Sequence, residues 1–150
     1  MADANPSDGV DIRLLADRLA IDDLLTRYAH AIDRKDYELL DTVFTPDAHV
    51  DYTAAGGVAG AYPEVRAWLE KTLAMFPMTQ HTVTNRRVAI DGDTATSVSY
   101  FSNPMSLPEK EGKTPMFFVG GYYHDRLRRT PDGWRIIERV EETAWMQGLS

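Results

Sequence analysis

The chain has no cysteine in 150 residues, which removes disulfides, thiolate nucleophiles and sulfur-ligated metal sites together. Positive charge is also scarce. Sixteen Lys and Arg stand against 23 Asp and Glu, and the net charge of -7 argues against nucleic acid or an anionic membrane surface as a partner. No apolar run approaches the ~20 residues a membrane span needs. The opening Met1-Ala-Asp-Ala-Asn-Pro-Ser-Asp-Gly9 lacks the basic and apolar regions of a secretory signal, so a cytoplasmic location is expected. There is no glycine-rich phosphate loop and no His-Glu helix motif, so neither a nucleotide nor a metal nor a redox cofactor is expected.

What the chain does have is the composition of a globular protein, 43% hydrophobic and 26% charged. Residues 1–10 read as a mobile tail and 11–150 as a single domain large enough for a real core. A first helix is expected from about Asp11 to Ile32. A second follows, capped by Asp36, with Leu40, Val43 and Phe44 on its apolar side. Ala48–Thr53 alternates like a short strand. A third helix begins with Pro63 at its first position and buries Val65, Trp68, Leu69, Leu73 and Phe76.

After Pro77 the hydrophobic period changes to two. Thr79–Ile90 and Thr94–Phe101 flank Asp91-Gly92-Asp93, and Pro115–Arg129 and Trp134–Trp145 flank Thr130-Pro131-Asp132-Gly133; both are hairpin signals. Helices first and an antiparallel meander afterwards mean an α+β fold. Gly120-Gly121 inside a strand indicates a bulge or sharp bend. A strongly curved sheet with helices across its open side gives a conical α+β barrel enclosing a pocket. The polar stretch from Asn103 to Pro115 reads either as a lid or as a surface loop.

Three side chains carry the functional expectation. Ile21, Leu24, Leu25, Tyr28 and Ile32 form one helical stripe, so the Tyr28 hydroxyl is buried and needs a partner. Asp33 falls roughly 140° around the helix from Tyr28 and can face the same cavity only if the helix ends there. His81 stands at the start of a strand. Singly, each has an ordinary explanation: a core tyrosine, a helix-end aspartate, a histidine satisfied by backbone. Together, a carboxylate, an imidazole and a phenol around an apolar cavity are the parts of a proton-transfer site.

From about Ala16 to Met146 the chain resembles the SnoaL-like group of the nuclear transport factor 2-like superfamily. The matching pieces are Ile21-Asp-Asp-Leu-Leu-Thr-Arg-Tyr28, Ala31-Ile-Asp33-Arg-Lys-Asp36, Phe44-Thr-Pro-Asp47, Gln80-His81-Thr-Val-Thr-Asn85, Gly121-Tyr-Tyr-His-Asp125 and Gly133-Trp-Arg-Ile136. Dehydratases of the group, scytalone and bile acid dehydratases among them, use an Asp at the end of the first helix with a His on the strand after the third. Asp33 and His81 match that pair. Tyr28 matches a tyrosine that the bile acid dehydratase places five residues before the Asp, where dehydrochlorinases of the group have lysine. The resemblance also implies an arginine on the last strand near the pocket, for which Arg139 is the candidate, with Arg135 expected on the same strand face.

The resemblance thus implies a cofactor-independent dehydratase in which Tyr28, Asp33 and His81 are catalytic. Tyr52, Trp68, Phe118 and Tyr122 are expected to form the pocket wall, with Asn85, His124 and Arg139 as polar substrate contacts. A metal held by His81, His124 and Asp33 is opposed by the resemblance. Such a wall suits a hydrophobic steroid, polyketide or terpenoid. Two other functions share the fold: a proton-transfer isomerase using the same pair, and a non-catalytic subunit like the small subunits of ring-hydroxylating dioxygenases. The aromatic residues of the late strands (Phe117, Phe118, Tyr122, Tyr123, Trp134, Trp145) exceed what one cavity can absorb, so a homodimer or homotrimer through the sheet is expected.

Overall fold

A computed structural model describes residues 9–148, which leaves residues 1–8 of the expected tail outside the described residues. Helix α1 (Ile12–Arg34) starts at Asp11, whose carboxylate accepts the backbone N–H groups of Arg13 and Leu14. Its stripe of Ile21, Leu24, Leu25, Tyr28 and Ile32 is buried. The helix does not break at Asp33. It continues to Arg34, and Lys35 closes it in the left-handed region at φ 54°.

Helix α2 (Tyr37–Leu40) is a single turn capped by Asp36. Val43 and Phe44 are buried as expected, but Phe44 opens strand β1 (Phe44–Asp51) rather than extending the helix. The strand therefore begins earlier than the alternation indicates and contains Pro46. It can do so because pairing shifts register between Phe44 and His49, where a missing N–H breaks no ladder bond. A 3-10 turn (Thr53–Ala55) and the short β2 (Ala59–Ala61) lead into α3 (Tyr62–Leu73). Pro63 is its second residue, not its first; that N–H too would lie outside the helical ladder.

The sheet continues with β3 (Met78–Thr79), β4 (Thr82–Asp91), β5 (Thr94–Ser106), β6 (Met116–Thr130) and β7 (Gly133–Gln147). Strand order is β2-β1-β7-β6-β5-β3, with β4 also on β5; β1 and β7 run parallel and every other pair antiparallel. The three helices pack against this strongly curved mixed sheet, an α+β cone. Among the described residues no helix is long and apolar enough to cross a membrane.

Two departures position the site. The expected strand Thr79–Ile90 is interrupted at Gln80-His81, which frees the His81 backbone N–H from a regular ladder. Strand β5 runs on to Ser106, so Asn103 to Ser106 belong to the sheet and only Leu107 to Pro115 connect it to β6. At Gly120-Gly121 the β6–β7 register slips past Ala144. A Cβ on Gly120 would run into the Trp145 indole, and one on Gly121 into the Glu142 carbonyl, so the bulge requires both glycines.

Candidate active site

The break between β3 and β4 brings His81 against the last turn of α1. The Asp33 carboxylate accepts three hydrogen bonds there. His81 Nδ1 lies 2.7 Å from Oδ1, Thr79 Oγ1 donates to the same oxygen at 3.0 Å, and the His81 backbone N–H donates to Oδ2 at 2.7 Å. One carboxylate thus fixes the ring, the backbone beneath it and the neighbouring hydroxyl. Burial pushes the Asp33 carboxyl up, but the ring hydrogen bond and charge of His81, its N–H and the Thr79 hydroxyl outweigh burial and hold it below the usual carboxylate range. The ionised form is the one this cradle favours.

The 140° between Tyr28 and Asp33 is resolved without a helix break. Asp33 faces an outer cleft together with Thr79 and Gln80, while Tyr28 faces an inner cavity of about 310 Å³; His81 lines both. The imidazole is a partition with its carboxylate behind it and the cavity in front. Tyr28 sits 6.2 Å from the His81 ring, edge-on, and its hydroxyl lies 2.7 Å from that of Tyr52. Burial pushes the Tyr28 phenol up, and those of Tyr52 and Tyr123 well above their ordinary value, against the opposing charge of Arg139. All three are neutral hydroxyls at neutral pH.

Arg139 lies one layer behind these rings and is not on the cavity surface. Its guanidinium carbon is 4.1 Å from the ring centres of both Tyr28 and Tyr123. Its Nε and Nη2 donate to Asp125 at 2.7 and 2.8 Å. Burial works against that charge, but the Asp125 carboxylate outweighs it and keeps the guanidinium protonated. Arg135 does not share its face. The β6–β7 register slips at Ile137, so burial alternates through Trp134 and Ile136 before the slip and through Arg139 and Glu141 after it.

Of the residues expected to line the pocket, Tyr52 and Trp68 do so. Phe118, Tyr122 and His124 do not. The inward face of β6 carries Phe117, Val119 and Tyr123, and the three expected residues lie on the other face, where His124 Nε2 meets Glu142 at 2.6 Å. Both faces of β6 carry aromatic residues, so its period is clear while its inward parity is not. His124 therefore does not converge with His81 and Asp33, and among the described residues no cluster suits a metal ion. Asn85 is exposed at φ 51° in a bulge of β4 between Thr84 and Arg87, turned away from the cavity.

Among the cavity residues that the sequence does not single out are Asn103, Tyr123 and Glu141. Asn103 was hidden in a stretch read as a loop, and Tyr123 by the parity of β6. Glu141 was detectable, since it stands two residues after Arg139 on an alternating strand. Burial pushes its carboxyl up to about 7, assisted by Asp51 and opposed by Arg139. The cavity combines an oriented imidazole, neutral phenols, one amide and one carboxyl group in a largely apolar enclosure. Such a set can take a proton from carbon and supply hydrogen bonds to oxygen.

Comparison with known proteins places the chain in a family. The uncharacterized protein Rv2910c of Mycobacterium tuberculosis H37Rv is 46% identical over 127 residues, 85% of each chain. A Novosphingobium aromaticivorans protein provisionally assigned as an aromatic ring hydroxylase has a TM-score of 0.80 at 30% identity, over 90% of this chain and 94% of its own. The hexachlorocyclohexane dehydrochlorinase LinA type 3 from Novosphingobium barchaimii LL02 has a TM-score of 0.78, over 93% of this chain and 94% of its own; at 20% identity that likeness is one of fold. The SnoaL-like domain profile matches residues 13–140, and the chain belongs to the SnoaL-like family.

Proposed function

We propose that this protein is a cofactor-independent lyase, a dehydratase that removes water from a hydrophobic hydroxy-carbonyl compound of steroid, polyketide or terpenoid type. The observation that carries the reading is His81 held at 2.7 Å by Asp33 while its ring forms part of the wall of an apolar cavity. With Nδ1 committed to the carboxylate, Nε2 serves as general base toward a proton alpha to the carbonyl, worth roughly 10²–10⁴-fold. Asp33 selects the tautomer and stabilises the imidazolium that forms. Tyr28, coupled to Tyr52, donates to the oxygen that becomes the enolate; one such donor is typically worth roughly 3 kcal/mol. A cavity of about 310 Å³ lies at the small end of ligand pockets and favours a compact ring system.

The dehydrochlorinase neighbour is named for an elimination, which supports a lyase. The ring-hydroxylase designation of the 30%-identical structure keeps the other reading, a subunit of a ring-hydroxylating system, in view. Such a subunit has no need of a carboxylate-held histidine at the wall of an apolar cavity, and that feature supports catalysis. The test is a panel of hydrophobic β-hydroxy ketones followed by the absorbance of the conjugated product. The wild type is expected to form that product with loss of water, and His81→Ala to be slower by about 10²–10⁴-fold. A product of unchanged mass would make the enzyme an isomerase. The absence of both product and exchange of the alpha proton with deuterium oxide would refute catalysis of either kind.

A further inference from the structure

His81 supplies a base for dehydration, but the departing oxygen also needs an acid. Hydroxide is a poor leaving group, and C–O cleavage next to an enolate proceeds only if the departing oxygen receives a proton. The cavity phenols donate hydrogen bonds but hold their protons too tightly to give them up near neutral pH. Among the described residues one other ionisable side chain lines the cavity.

That side chain is Glu141. It points inward from β7, directly opposite Tyr123 in the β6–β7 register, and is 8% exposed. Its Oε1 is shut off from solvent and has no hydrogen-bond partner. A buried carboxyl oxygen without a partner is costly and calls for an explanation. Arg139, two residues earlier on the same face, does not satisfy it: its Nε and Nη2 are committed to Asp125, and its Nη1 makes no hydrogen bond. The Oδ1 of Asn103, on the same cavity wall, is likewise unpartnered. Two orphaned polar atoms on an apolar wall mark a place where a ligand oxygen fits. Strands β6 and β5 lie between β7 and the break that carries His81, so the carboxyl group and the imidazole reach the cavity from different parts of its wall.

We propose that Glu141 is the general acid of this site, giving its proton to the hydroxyl that leaves while His81 takes the alpha proton. The inference rests on the lyase reading. In the step, Nε2 of His81 removes the Cα proton, the C–H electrons become the new C=C bond, and the C–O bond breaks with its electrons staying on oxygen. The oxygen collects the Glu141 proton and departs as water. Imidazolium and carboxylate then exchange one proton through solvent, restoring both groups. Burial pushes the Glu141 carboxyl up to about 7, so a useful fraction is protonated at neutral pH, as a donor to oxygen requires. The charged and titratable groups facing it are Arg139 on its own strand, Asp51 of β1, Tyr28 of α1 and Tyr123 of β6.

The experiment compares Glu141→Gln with wild type on two probes, the aldol adduct of acetone and benzaldehyde and its acetate ester, with Cα exchange in deuterium oxide measured in parallel. Acetate leaves without a proton; hydroxide does not. The variant is expected to lose about 10²–10⁴-fold on the alcohol, little on the ester, and nothing in exchange. The wild-type rate on the alcohol should fall as pH rises through about 7, a limb absent from the ester and from the variant. Equal rates of variant and wild type on the alcohol would overturn the acid role while leaving the His81 base intact. Loss of exchange along with elimination would also overturn it, because Glu141 would then be serving the base. A wild type that neither exchanges nor eliminates would overturn the lyase reading and this inference with it.

Discussion

Two carboxylates in this protein each hold a nitrogen cation or base at 2.7 Å, and their surroundings could hardly differ more. Asp33 and His81 straddle the boundary between outer cleft and cavity, with side chains 21% and 8% exposed. Asp125 and Arg139 are sealed at 0%. Asp33 accepts from a ring, a backbone N–H and a hydroxyl, whereas the sealed pair leaves Arg139 Nη1 without a partner. Arginine cannot give up its proton under these conditions, and histidine can. A pair at a solvent boundary with a titratable partner is able to move a proton. A dry pair with a permanent cation can only hold the wall, here by pinning Tyr28 and Tyr123, themselves in edge contact, against one guanidinium.

The sharpest way to break that contrast is to show that the boundary pair is not one working unit. His81→Ala and Asp33→Asn should each lower turnover by about 10²–10⁴-fold, and the double variant should be no worse than the more damaging single one. Multiplicative losses would mean that the two act independently and would remove the dyad. Stability should separate the two variants. His81→Ala leaves the Thr79 and backbone bonds to Asp33 in place. Asp33→Asn turns an amide N–H₂ toward a donor whichever way it is placed, and should cost about 1–3 kcal/mol. Asp33 is therefore a positioning residue for the β3–β4 break as well as for the ring.

The sealed pair should show the opposite profile. Asp125→Ala strands a buried guanidinium and is expected to cost about 3–5 kcal/mol, read as a shift in the urea midpoint at constant slope. A cost under about 1 kcal/mol would show that Arg139 finds solvent, and the two pairs would then not differ in kind.

How much of this the sequence carried depends on what each signal encodes. The stripe through Ile21, Leu24, Leu25 and Tyr28 reports burial directly, so α1 and its buried phenol were legible. Asp33 and His81 were legible only as a pair matching a family; nothing local says that they meet, because the contact joins residues 48 apart through a two-residue gap between strands. Strand parity was the weak point. On β6 aromatic residues occupy both faces, which put Phe118, Tyr122 and His124 on the wrong side. On β7 an extra residue at Ile137 separates the face of Arg135 from that of Arg139, and bulges leave little trace in a hydrophobic pattern. Proline gives little guidance here either: Pro46 and Pro104 each sit inside a strand.

The gentlest probe of the dry wall is the pH dependence of stability, and the sign follows from Glu141. Its folded value of about 7 lies above the ordinary 4.5, so the folded protein holds a proton that the unfolded chain has released. Its favourable contribution is complete below pH 4.5, declines as pH rises, and is gone above about 7, a loss of about 3 kcal/mol at most. Asp33 and Asp17 have the opposite sign: both are lowered, Asp17 to about 2 by Arg129, so their contributions disappear in acid and would mask a single pH curve. The difference between Glu141→Gln and wild type cancels them. Glutamine has no proton to lose, so the variant should gain on wild type steadily between pH 4.5 and 7, measured by chemical denaturation at each pH. A difference that stays flat across that range would mean that water reaches Glu141. The β7 wall would then be no drier than the His81 side, and the contrast between the two regions would rest on Arg139 alone.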